Sequence, residues 1–128
     1  MKNNKIVHIT LLMILFSLYS YVDKEHSIIG KWYAEEIEKS TIEIEQKEDG
    51  NFYGEIVASE KKEWIGKMVL DNLKYDSKTN TWKGEIYSLK RNMTIDVTLS
   101  LESEMRLKLV GNKLFMTKTF YWKKSSSK

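Results

Sequence analysis

Between Met93 and Leu101 apolar and polar residues alternate without a break. Met93, Ile95, Val97, Leu99 and Leu101 are interleaved with Thr94, Asp96, Thr98 and Ser100. A period of two places one set of side chains in a core and the other in water, which is the signature of a half-buried strand. The pattern resumes at Met105, Leu107 and Leu109, with Arg106 and Lys108 on the opposite face. Glu102-Ser103-Glu104 reads as the hairpin loop between the two runs. Gly111-Asn112 reads as the next tight turn, because glycine tolerates the positive φ that short hairpins need. A last strand then runs from Lys113 to about Lys123, with Phe115, Thr117, Thr119 and Tyr121 on one side and Leu114, Met116, Phe120 and Trp122 on the other.

The first half of the chain repeats this grammar. Ile29 to about Glu38 opens with Gly30 and Trp32, and Ile42 and Ile44 alternate with Thr41, Glu43 and Glu45. Glu48-Asp49-Gly50-Asn51 is a turn in which Asp-Gly suits a type I′ hairpin. Phe52 to Ala58 returns, Glu60 to Glu63 forms a charged loop, and Lys67 to about Tyr75 is strand-like. The polar turn Asp76 to Asn80 precedes Trp82 to Tyr87, and Lys90-Arg91-Asn92 leads into Met93. Eight short strands joined by short hairpins predict an all-β fold, an eight-stranded antiparallel up-and-down barrel of lipocalin-like (calycin-like) form. Closure removes the exposed strand edges that an open sheet of this kind would present. Gly54 and Gly84 sit at equivalent places, in Tyr53-Gly54-Glu55-Ile56 and Lys83-Gly84-Glu85-Ile86, and a glycine inside a strand marks a bend or bulge.

The N-terminus follows a different rule. Lys2 and Lys5 precede an apolar run from Ile6 through Phe16, and charge returns at Asp23-Lys24-Glu25. This is the layout of a secretory signal helix over residues 1–22, followed by a short linker over 23–27, a barrel domain over 28–124 and a polar tail over 125–128. The rival reading is an uncleaved anchor, since Ile6 to Val22 lies at the short edge of what crosses a bilayer. Either reading makes this an exported protein, periplasmic, envelope-associated or secreted, whose membrane contact runs only through the N-terminal segment.

Composition narrows the chemistry. The chain has no cysteine and no proline, so disulfides, thiol nucleophiles and Cys-based zinc sites are excluded. Without Lys2 and Lys5 the basic and acidic residues number 19 and 18, which gives no basis for nucleic-acid binding. One histidine, His26, remains beyond the apolar segment, too few for a His-rich metal site or an evident Ser-His-Asp triad. No metal, cofactor or catalytic set is therefore assigned, and oligomeric state is not legible.

Gly30-Lys31-Trp32, Asp49-Gly50, Gly54-Glu55-Ile56-Val57, Leu70-Asp71-Asn72-Leu73, Trp82-Lys83-Gly84-Glu85-Ile86-Tyr87, Leu107-Lys108-Leu109-Val110-Gly111 and Thr117 through Trp122 stand in an order and spacing that resemble the bacterial domain-of-unknown-function family 2147. The resemblance spans roughly Ile28 to Lys123. It implies a small exported protein with a lipocalin-like or fatty-acid-binding-protein-like barrel, and it supplies neither reaction nor ligand. In the family the segment after Trp-x-Gly-x-Ile-Tyr continues with Asp-Pro, a Gly and a Tyr in a turn; here Tyr87 is followed by Ser88-Leu89-Lys90-Arg91-Asn92. Gly30-x-Trp32 is similar to the lipocalin opening motif, in which the tryptophan closes the barrel bottom.

The first function the residues suggest is non-catalytic binding of a small apolar or amphipathic ligand inside the barrel. Trp32, Trp82, Trp122, Phe52, Tyr53, Tyr87, Phe115 and Phe120 form either a packed core or the lining of a pocket, because barrels of eight strands are filled by side chains or hold one small ligand. For a carrier of a small hydrophobic or amphipathic ligand, the candidate contacts are Trp82, Tyr87, Glu85, Tyr53, Glu55 and Phe115. The second function is a cell-envelope interaction module that uses the barrel exterior and loops. A carboxylate-dependent hydrolase has the least support, since it needs two carboxylates in a water-poor cleft.

Overall fold

A computed structural model describes residues 27–125; the expected signal helix over 1–22, the expected linker up to residue 26 and residues 126–128 lie outside these described residues. Eight strands, β1 (Gly30–Ala34), β2 (Ser40–Gln46), β3 (Phe52–Ala58), β4 (Met68–Asp76), β5 (Thr81–Ser88), β6 (Met93–Ser103), β7 (Arg106–Lys113) and β8 (Met116–Lys124), follow one another around a closed barrel. Every neighbouring pair is antiparallel, and β1 closes on β8 through Trp32 opposite Lys124 and Tyr33 opposite Lys123. The up-and-down order puts the β1–β2, β3–β4, β5–β6 and β7–β8 connections at one end. The other connections and the residues leading into β1 and out of β8 share the opposite end.

The alternation predicted in β6 is present: Val97 and Leu99 are buried, while Thr94 and Asp96 are exposed. Inward residues of all eight strands meet in one core. Trp32, Trp122, Ile42, Ile44, Ile56, Leu70, Leu73, Leu99, Leu107 and Leu109 are all fully buried.

Four sequence expectations are corrected. Gly111 and Asn112 do not turn the chain; they lie within β7, opposite Lys118 and Thr117. Gly111 faces inward, beside Ile95 and Phe120. The turn comes at Leu114-Phe115, so the last strand starts at Met116 rather than Lys113. β6 runs through Ser103, and Glu104-Met105 makes the next turn. β1 stops at Ala34, and Glu35 to Lys39 form a turn in which Glu38 and Lys39 take positive φ. At Asp49-Gly50 only Gly50 has positive φ, and Gly50 N–H donates to the Lys47 carbonyl at 2.9 Å. A three-residue loop with one left-handed glycine replaces the expected two-residue type I′ turn, which requires positive φ at both central residues.

β4 is bulged on both sides, and the two in-strand glycines explain how. Between the Asp71–Glu85 and Lys74–Lys83 pairs, β4 has two residues where β5 has only Gly84. Asn72 takes φ +54°, and the backbone of Asp71 to Leu73 presses onto Gly84. On the other flank the β3–β4 register slips at Gly54, which lies against Leu70 and Ile42. The bend expected at these glycines is thus built around the strand they both touch.

Both ends are tied down. Trp32 Nε1–H donates to the Ile28 carbonyl at 2.8 Å, and Lys124 Nζ donates to the Ile29 carbonyl at 2.9 Å while lying 4.7 Å from the Trp32 ring centroid. Burial holds the Lys124 ammonium below its usual pKa, because removal from water disfavours the charged form. Trp32 therefore serves in closure, as the opening motif implies. At the opposite end a single 3₁₀ turn, Lys62–Trp64, buries Trp64. Ser40 Oγ donates to Ser59 Oγ at 2.8 Å, and Trp122 Nε1–H donates to Glu36 Oε1 at 2.5 Å, which fastens the β1–β2 turn to β8.

Candidate functional site

Strand parity separates the six candidate ligand contacts. Trp82 alone points into the barrel. It is 3% exposed, with Phe52 edge-on at 6.2 Å and Tyr75 tilted at 4.8 Å between ring centroids. Tyr53 and Glu55 flank the inward Gly54, so both face outward; Glu85 and Tyr87 flank the inward Ile86 and do the same. Phe115 sits on the β7–β8 turn, fully exposed at 103%. Of the six, only Trp82 faces the interior; Tyr53, Glu55, Glu85 and Tyr87 face outward, and Phe115 lies on a turn. Their aromatic and acidic character was legible, but the side of the sheet follows from register, and a shift of one residue reverses it.

Tyr53 makes a local contact. Its hydroxyl donates to Asp49 Oδ2 at 2.5 Å, and Lys47 Nζ lies 4.8 Å from its ring centroid. The Tyr53 hydroxyl holds the Asp49 carboxyl below its ordinary 3.8, helped by the Asn51 backbone N–H; the same bond raises Tyr53 above 10.0. Tyr87 hydrogen-bonds to Asn92 across the β5–β6 turn, so in both cases the phenol braces a hairpin.

The outer wall over β4, β5 and β6 carries a shallow depression of about 430 Å³ whose lining includes Asn72, Lys74, Lys83, Glu85, Asp96 and Thr98. It lies beside the β4 bulge, where Asn72 takes φ +54°. Asp71, Glu85 and Asp96 form a row across three strands, each opposite the next. Like charges directly opposite one another repel. All three are exposed, whereas general acid–base work needs carboxylates with separated pKa values in a water-poor site. Among the described residues, no group of three or more His, Cys, Asp or Glu side chains is placed to hold a metal ion.

Two further features escaped the alternation pattern. Trp64 is buried from a loop, where period-two reading has no purchase. Leu114, Phe115 and Met116 are 92%, 103% and 72% exposed, a run of bare apolar side chains at the end of a hairpin. Assigning the turn to Gly111-Asn112 hid this tip inside a strand.

With the fold and the outward-facing wall described, comparison with protein families gives a match over residues 30–124 to the model described as "Uncharacterized protein conserved in bacteria (DUF2147)". The chain belongs to the DUF2147 family. The matched span coincides with β1 through β8. No curated protein and no solved structure matches the chain. For this DUF2147 member, function has to be argued from the barrel's own surfaces.

Proposed function

We propose that this DUF2147 protein is an exported, non-catalytic interaction module that works through the outside of its barrel. One observation carries this reading: the interior is occupied by the protein's own side chains, headed by fully buried Trp32 and Trp122, while five of the six candidate contacts stand outside it. Export is supported by the basic start at Lys2 and Lys5 and the apolar run from Ile6 to Phe16. A small-molecule carrier is the second reading. It is favoured by Trp82 Nε1, a buried donor without a hydrogen-bond partner among the described residues, to which a ligand acceptor would bond.

Native mass spectrometry of the protein purified from its own host's envelope separates the two. The outer-surface reading expects the bare polypeptide mass. A stoichiometric small molecule that is lost on Trp82→Ala substitution would overturn it in favour of the carrier. The intact mass also reports whether residues 1–22 were removed.

A further inference from the structure

We infer that the β7–β8 hairpin is a membrane-docking element that inserts its tip into the headgroup region of an anionic lipid bilayer; this rests on, and makes specific, the outer-surface reading above. Leu114, Phe115 and Met116 form the tip and are almost entirely in water. From Met105 through Lys124 the chain carries six basic residues and no Asp or Glu. Lys113 opposes Met116 at the top of the ladder and Lys118 follows two steps lower, opposite Gly111. At about 3.4 Å of rise per strand residue, the Cα atoms of these lysines sit roughly 3–10 Å behind Phe115. That matches the depth, about 5–10 Å, to which interfacial apolar side chains enter a bilayer below charged headgroups. Lys90 and Arg91, exposed in the β5–β6 turn at the same end, extend the positive field sideways. The opposing charge nearest in register is Asp96, opposite Asn112.

The backbone adds an independent observation. Among the described residues, those with positive φ outside glycine are Glu38, Lys39, Asn72, Asn80, Asn92 and Leu114. Five are polar, three of them the asparagines that tolerate this region; Leu114, at φ +56°, is the apolar exception. An apolar residue held at a strained turn position and turned to solvent is poor for folding, and a surface that it enters accounts for it. A convex tip of three consecutive apolar residues suits a fluid bilayer, which yields around it, better than a protein partner, which would need a preformed cleft. The basic flanks select anionic lipid.

The absence of cysteine makes a site-resolved test direct. A Met116→Cys protein carrying an environment-sensitive fluorophore is mixed with phosphatidylcholine vesicles or with phosphatidylcholine–phosphatidylglycerol vesicles, beside a Ser77→Cys control labelled at the opposite end. The expected result is a blue shift at position 116 with the anionic vesicles only, with quenching by shallow spin-labelled lipid, and no change at position 77. Lys113→Gln and Lys118→Gln should each weaken that response about fivefold, and Phe115→Ser should lower it by at least tenfold. A label at 116 that stays aqueous on anionic vesicles, or responds equally to both vesicle types, overturns the inference. A shift that appears without vesicles and grows with protein concentration also overturns it, in favour of a second copy of the chain. The label reports position 116 alone, so binding through any other segment does not mimic the result. Failure here leaves the outer-surface reading standing, because that reading falls only if a stoichiometric interior ligand is found.

Discussion

Replacing Gly84 by alanine should destabilise the barrel by about 2 kcal/mol, and the reason is local backbone geometry. A Cβ built at Gly84 would lie 2.7 Å from the Asp71 carbonyl oxygen, 2.8 Å from that of Asn72 and 2.9 Å from Leu73 Cα. All three atoms are backbone, held by the β4 bulge, so no side chain can swing aside. Overpacking of this kind costs about 1–3 kcal/mol, and an immovable wall argues for the upper end. Against it stands a gain of about 0.4–1 kcal/mol from the reduced freedom of the unfolded chain. The difference corresponds to a fall in Tm of roughly 8–16 °C for a domain near this size. Gly111→Ala is the internal control. Its Cβ would meet Ile95 Cγ2 at 3.5 Å, an ordinary contact, so the substitution should be neutral or slightly stabilising. Gly54→Ala should fall between them, since its obstacles at 2.9–3.0 Å are the side chains of Leu70 and Ile42. Urea and thermal melts followed by tryptophan fluorescence would rank the three. A Gly84→Ala protein as stable as the parent, or a Gly111→Ala protein less stable than it, would refute the reasoning.

Three further outcomes follow from the same structure. Leu114→Gly should stabilise the isolated protein by about 0.5–1 kcal/mol by relieving the positive φ, and thermal melting should show it as a rise in Tm alongside weaker vesicle binding. For Lys124, whose pKa is lowered in the fold by burial, the unfolded chain binds more protons in the window between the folded pKa and 10.5. Stability of the parent relative to Lys124→Met should therefore rise as pH climbs through that window; a difference that stays flat from pH 8 upward would contradict the burial argument. Asp49 has the opposite sign: its lowered pKa contributes stability that is present above 3.8 and lost as pH falls through the folded value. An NMR titration should find the Asp49 pKa moved up toward 3.8 in Tyr53→Phe, with no change when the distant Tyr75 is replaced instead.

The strands were legible because their cause is local. The run from Met93 to Leu101 alternates, and its even and odd sets lie on opposite sides of β6 as periodicity requires. Phe52 to Ala58 matches β3 end to end. Glycines at 54 and 84 announced bends, since only a position without Cβ lets a neighbouring strand come that close. The family resemblance likewise depended on residues in order along the chain, and the match over residues 30–124 bears it out.

Where each residue ends up was another matter. Residue type and place along the chain marked Tyr53, Glu55, Glu85 and Tyr87 as candidate ligand contacts, yet their orientation depends on pairing register, which no single strand contains. Gly111-Asn112 reads as a turn locally, but continued pairing of Asn112 with Thr117 and Lys113 with Met116 carries the hairpin two residues further and sets Leu114 and Phe115 at its tip. The amino-acid sequence by itself determined the strand count, the alternation and the glycines that allow β4 to bulge. Tertiary structure decided closure through Trp32 and Lys124, the packed interior and the bare end of the last hairpin, because burial is set by which distant strands come to lie side by side.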